Sequence, residues 1–153
     1  MNSNTQSMLI IACSQRKCLA PGLLPALERY DGVSYRLLRK ARREDNLPQG
    51  LDVLILSAKY GLIEASTPIA HYEQRMTRHR AIELHSQTLQ VLQSYANQNI
   101  FQDVYVDLGQ DYALAIRGIE QLFSKASVTY ATGRIGERLS QLKTWLIEKS
   151  KET

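Results

Sequence analysis

The chain has 153 residues, 44% of them hydrophobic and 22% charged, and its 19 Lys and Arg against 15 Asp and Glu give a net charge of +4. That length predicts one α/β domain over 1–153 with an ordered core at about 8–149, and the composition excludes collagen-like and disordered chains. No apolar run nears the roughly 20 residues of a membrane-spanning helix, so no membrane partner is expected.

The opening stretch, Met1–Ser7, is polar and uncharged, which predicts no signal peptide and a loose end. Met8–Cys13 is an uninterrupted apolar run of strand length, and Leu51–Ala58, Phe101–Leu108 and Val128–Ala131 are three more. Such runs suit strands buried on both faces, as in a parallel sheet. Leu23–Tyr30 predicts a short helix with Pro25 near its first turn. Ser34–Glu44 carries an apolar side at Leu37, Leu38 and Ala41. Thr77–Ala96, Asp111–Phe123 and Arg134–Lys149 repeat apolar residues at spacings of three and four. Ser150–Thr153 is a second expected loose end. Strand and helix thus alternate, which predicts a Rossmann-like three-layer α/β sandwich around a mostly parallel sheet of four or slightly more strands.

The unusual residues fall just after the strands. Ser14-Gln15-Arg16-Lys17 follows the first, Ser57-Ala58-Lys59-Tyr60-Gly61 the second, Gly109-Gln110-Asp111-Tyr112 the third, and Thr132-Gly133-Arg134-Ile135-Gly136 the fourth. If the strands run parallel, these loops share the edge where open sheets bind ligands. Arg16 and Lys17, with Ser14 and Gln15, read either as an anion clamp or as a solvated loop. Gly133 and Gly136 open a path to backbone N–H groups at a helix start, with Thr132 as its N-cap and Arg134 adding charge; plain tight turns use glycines in the same way. Lys59 ends a buried strand, where lost hydration would make it a base or nucleophile. The competing reading is a surface lysine beside a boundary tyrosine, Tyr60.

Arg36, Arg39, Lys40 and Arg43 fall on one helix face, and Arg75, Arg78, His79 and Arg80 form a second basic cluster. Together they would track a phosphate backbone; a solvated helix face is the commoner explanation. His79 and His85 lie six residues apart and so face different ways on their helix. With Cys13 and Cys18 the only cysteines, no metal site, disulfide scaffold or cofactor is expected, and a reducing cytoplasm is the expected compartment.

Five segments, in order, resemble an uncharacterised family of small bacterial and phage domains. They are Cys13-Ser14-Gln15-Arg16-Lys17, Tyr30-Asp31-Gly32, Leu56-Ser57-Ala58-Lys59-Tyr60-Gly61-Leu62, Ile69 to Met76 with Tyr72 inside it, and Gly133-Arg134-Ile135-Gly136. The likeness runs from about Met8 to Leu146. Leu56–Ile63 and His71–Met76 are also distantly similar to the peroxide-stress protein YaaA family, with His71 where that family has proline. That likeness implies DNA binding and a role in limiting oxidative damage. The Cys-Ser-x-x-Lys start is similar to a domain of archaeosine synthase, which modifies a deazaguanine base in tRNA.

The combined expectation is a strand-end pocket for a nucleotide, a nucleobase or another anionic small molecule. Ser14, Gln15, Arg16, Lys17, Tyr72, Gly109, Gly133, Arg134 and Gly136 would bind, and Lys59, Ser57 and Tyr60 would carry any base or nucleotide modification. The alternative is non-catalytic DNA or RNA binding through Arg36, Arg39, Lys40, Arg43, Arg75 and Arg78.

Overall fold

A computed structural model describes residues 6–152. The chain opens with β1 (Gln6–Ala12), then a two-residue strand β2 (Leu24–Pro25), a turn of helix α1 (Ala26–Arg29) and α2 (Val33–Arg43). It continues through β3 (Leu51–Ser57), β4 (Gly61–Glu64), a two-residue β5 (Pro68–Ile69) and the long α3 (Arg78–Gln98). Strand β6 (Phe101–Asp107), the short helices α4 (Gln110–Ala113) and α5 (Ile119–Leu122), β7 (Ser127–Tyr130) and α6 (Ile135–Lys151) complete it.

The main sheet has the order β4-β3-β1-β6-β7. Strands β3, β1, β6 and β7 are parallel, and β4 folds back antiparallel on β3. Alternate residues of β1 enter opposite cores. Met8 and Ile10 pack with Leu92, Val104, Ile116 and Ile119 under α3, α5 and the turn before α5. Leu9 and Ile11 pack with Leu38, Tyr105, Leu142 and Trp145 under α2 and α6. A strand buried on both faces is apolar throughout because neither set of side chains meets water. This is a three-layer α/β sandwich with a mostly parallel sheet.

Several boundaries differ from the sequence reading. Gln6 and Ser7, expected in a loose end, belong to β1, while Met1–Thr5 lie outside the described residues. At the other end α6 runs through Ser150 to Lys151. The helix expected over Asp111–Phe123 is broken: α4 passes into a 3-10 turn, and Gly118 at φ 98° reverses the backbone before α5. The apolar spacing of Tyr112, Ala115 and Ile119 survives because each piece still turns its apolar side to α3. The helix expected over Leu23–Tyr30 shrinks to α1, since Leu24 and Pro25 pair with Ile69 and Pro68. Thr132 does not cap α6. Gly133 at φ 88° turns the chain first, Arg134 becomes the N-cap residue, and Thr132 exchanges hydrogen bonds with the Gln141 amide at 3.0 and 2.9 Å.

The winding gives the fold its functional edge. From β1 the chain crosses through α2 to β3 on one side, and the later crossover through α3 reaches β6 on the other. The order therefore reverses between β1 and β6. The loops leaving their carboxyl ends part to opposite faces and leave a crevice.

Candidate functional site at the carboxyl end of the sheet

Two adjoining cavities occupy that crevice and share Cys13, Ser14 and Tyr112 as walls. The smaller, about 250 Å³, adds Gln15, Lys17, Glu73 and Arg75. The larger, about 480 Å³, adds Gly32, Val33, Tyr35, Asp107, Ile135 and Arg138. The more capacious groove of about 740 Å³, along the outer side of α3, is walled by His85, Leu89, Leu122 and a row of amides and hydroxyls, with no Lys or Arg and none of the strand-end loops.

Behind the smaller cavity three hydroxyls close a ring. Tyr30 donates to Ser57 Oγ at 3.0 Å, Ser57 Oγ lies 2.9 Å from the Tyr72 hydroxyl, and the two tyrosine oxygens are 2.6 Å apart. Ser57 Oγ also accepts from the backbone N–H groups of Lys59 and Tyr60 at 3.2 and 3.1 Å, which fixes the turn after β3. Burial raises the Tyr30 phenol to about 12, opposed by its hydrogen bonds to Ser57 and Tyr72, and it pushes Tyr72 up as well. Both phenols therefore stay neutral at physiological pH and serve as donors. Ser57 is fully buried, and its Oγ is engaged by Tyr30, Tyr72 and two backbone N–H groups.

Lys17 and Lys59 flank Tyr72, with Nζ 4.6 and 5.9 Å from its ring centroid. Lys59 is exposed rather than buried with the strand it follows. Its turn is instead held from α3, where Arg80 donates to the carbonyls of Ala58 and Lys59 at 2.7 and 2.9 Å. Tyr60 meets Tyr72 edge-on, centroids 5.5 Å apart.

The loop after β1 is tied to the start of α2. Ser14 Oγ donates to the Arg16 carbonyl at 2.6 Å and accepts from Gly32 N–H at 3.2 Å. A Cβ on Gly32 would sit 2.9 Å from Ser14 Cβ, so this contact requires glycine. Asp31 next door collects Arg39 at 2.6 Å, Arg36 at 3.0 Å and Arg16 at 3.5 Å. The Arg36 hydrogen bond, supported by Arg39, brings the Asp31 carboxyl down to about 2 against the effect of burial. Three of the cations expected to meet a ligand or a phosphate backbone are thus held by Asp31, and Arg39 also donates to the Leu27 and Tyr30 carbonyls at 2.8 Å. Lys40, Arg43, Arg75 and Arg78 remain exposed, with no ion pair among the described residues.

Of the remaining expected residues, Gln15 lines the smaller cavity and accepts from Arg75 at 3.4 Å, and Gly109 lines the larger. Gly133, Arg134 and Gly136 are exposed and line neither cavity; from that loop and helix Ile135 and Arg138 reach it instead. Three residues near the site, Asp107, Arg138 and Arg29, were not singled out beforehand. Asp107 closes β6 and pairs with Arg138 at 2.8 Å. Tyr112, pushed up chiefly by burial, has its hydroxyl 3.5 Å from Cys13 Sγ. Arg29, fully buried, donates to the carbonyls of Ile69, Cys18, Ala20 and Gly22 at 2.6 to 3.3 Å and pins the stretch leading out of the Lys17 loop. The signal for Asp107 was a carboxylate ending a buried strand; nothing marked Arg29. No helix among the described residues is long and apolar enough to cross a membrane, and no group of three or more His, Cys, Asp or Glu there suits a metal ion.

A family model described as a family of unknown function (DUF6884) matches residues 8–144, and the chain belongs to that family. No curated protein matches. Among solved structures the chain is similar to AF0587, a protein of unknown function, at 16% identity and a TM-score of 0.55. That alignment covers 93% of this chain and 44% of the other, so the present chain spans less than half of that structure's length. The likeness is one of fold.

Proposed function

We propose that the crevice between β1 and β6 binds a nucleotide, with its anionic group in the smaller cavity against Lys17 and Arg75. One observation carries this reading. The cations at the smaller cavity have no carboxylate partner among the described residues, whereas Arg16, Arg36 and Arg39 beside them share Asp31. Unpaired cations converging at a switch-point crevice favour a ligand that supplies the negative charge. The Nζ groups of both lysines lie over the Tyr72 ring, which attracts cations through its face. Modification of the bound base is the finer form of the proposal, with exposed Lys59 as its candidate group; Lys59→Met would then end turnover and leave the melting temperature in place.

The test is thermal shift and calorimetry with nucleoside monophosphates and triphosphates, for the wild type and Lys17→Met. A ligand at 100 times its Kd adds about 2.7 kcal/mol to apparent stability. The expected result is a stabilising shift with at least one nucleotide, weakened about tenfold in Lys17→Met. No shift with any nucleotide refutes the reading. A second reading, DNA or RNA binding of the kind the YaaA resemblance implies, draws support from exposed Lys40, Arg43, Arg75 and Arg78. It predicts binding to oligomers that falls steeply with salt.

A further inference from the structure

Among the described residues Asp107 is the only carboxylate lining the larger cavity. Its side chain is 11% exposed, and Arg138 takes only one of its oxygens, Oδ1. The other, Oδ2, has no hydrogen bond within the described residues. Burial pushes the carboxyl upward, opposed by the charge and hydrogen bond of Arg138. Two polar atoms of its surroundings, Arg138 Nε and the Tyr105 hydroxyl, are buried with no partner.

A carboxylate is a poor neighbour for an anion. The smaller cavity sets two cations, Lys17 and Arg75, against one carboxylate, Glu73, and is the better place for the negative group of a ligand spanning both cavities; the part that meets Asp107 must donate. Ile11, Ala12, Val33, Tyr35 and Ile135 give the larger cavity apolar or aromatic walls, beside the hydroxyls of Ser14 and Ser34 and the Arg138 guanidinium. A flat heterocycle covers such walls with its faces and presents hydrogen-bonding groups at its edge. A sugar would leave hydroxyls against them unpaired.

Resting on the nucleotide reading above, we propose that Asp107 is the specificity-determining residue of the site: its Oδ2 accepts an amino N–H from the nucleobase, which lies in the larger cavity. The site then selects nucleobases that carry an exocyclic amino group.

The test compares ligands that differ by that amino group alone: adenosine against purine riboside, guanosine against inosine, and cytidine against pyrimidin-2-one riboside, all as 5′-monophosphates. Calorimetry on the wild type is expected to favour the amino-bearing member of at least one pair by about ten- to a hundredfold, the range of a hydrogen bond to a charged acceptor. Asp107→Asn keeps the side chain's shape and the oxygen facing Arg138 and puts an N–H₂ where Oδ2 stood. It is expected to abolish the preference while leaving the amino-lacking partner's affinity within about twofold. Equal wild-type affinities within all three pairs overturn the proposal, whether or not Asp107→Asn folds. So does a preference that survives in Asp107→Asn, or an equal loss for both members of a pair. Failure of every nucleotide to bind refutes the nucleotide reading instead, and this inference with it.

Discussion

Replacing Tyr72 by Phe removes one oxygen from the ring of hydroxyls and nothing else. The aromatic ring keeps its edge contact with Tyr60 at 5.5 Å and its place between Lys17 and Lys59. Two hydrogen bonds vanish, those to Tyr30 at 2.6 Å and to Ser57 at 2.9 Å. Ser57 Oγ retains Tyr30, Lys59 N–H and Tyr60 N–H, but the Ser57 hydrogen loses its acceptor inside a buried site. Leaving a buried hydroxyl unsatisfied costs about 1–3 kcal/mol. At about 2–4 °C per kcal/mol for a chain of this size, the melting temperature should fall by about 3–10 °C. Calorimetry of Tyr72→Phe, Tyr30→Phe and the double variant at pH 7 measures the coupling directly. The ring predicts a double variant less damaged than the sum of the singles by at least about 0.5 kcal/mol. A single-variant loss under about 1 °C, or strict additivity, refutes a cooperative ring. The Tyr30 phenol adds a pH signature. Its folded value of about 12 lies above the ordinary 10, so its stabilisation is complete below pH 10 and drains away between pH 10 and 12. Tyr30→Phe should flatten that alkaline limb.

Asp31 sets the acid limb. Its carboxyl is lowered from 3.8 to about 2 by Arg36 and Arg39, so the stabilisation is complete above about pH 4 and is lost as pH falls through 2; acid titration of Asp31→Asn followed by circular dichroism should show that part of the limb missing. Gly61→Ala should destabilise by about 1–3 kcal/mol in urea unfolding, since Gly61 sits at φ 76° and a Cβ would drive into the Gln87 amide that bonds Leu62; an unchanged midpoint would show that Gln87 swings away freely and that the backbone adapts.

The sheet was legible because burial on both faces writes itself into composition. Met8–Ile11 is buried throughout, and four apolar runs separated by amphipathic helices admit few arrangements, although the fourth became β7, an edge strand left largely exposed. The edge strand β4 was not legible. Gly-Leu-Ile-Glu is too short to carry a period, and it becomes a strand because Gly61 turns the chain back along β3. Charge was the poorest guide. Arg36, Arg39, Lys40 and Arg43 share a helix face by spacing, yet Asp31, five residues before Arg36, takes two of them and adds Arg16 from another loop. Lys59 followed a buried strand and still emerged into solvent, because burial ends at Ala58 where the turn begins.

The sequence by itself determined the alternation of strands and helices in this protein and the identity of the loops that follow its principal strands; their directions came from the structure. Those follow from apolar periodicity, a local property of the chain. Only the tertiary structure decided which of those loops form a site. The reversal of winding between β1 and β6 brought Cys13, Tyr112, Asp107 and Arg138 together from distant segments. It also left Arg134 outside and drew Ser57, Tyr30 and Tyr72 into a closed ring. Ion pairs and buried hydrogen bonds depend on separations of a few ångströms between residues up to about a hundred positions apart, and no local pattern encodes such separations.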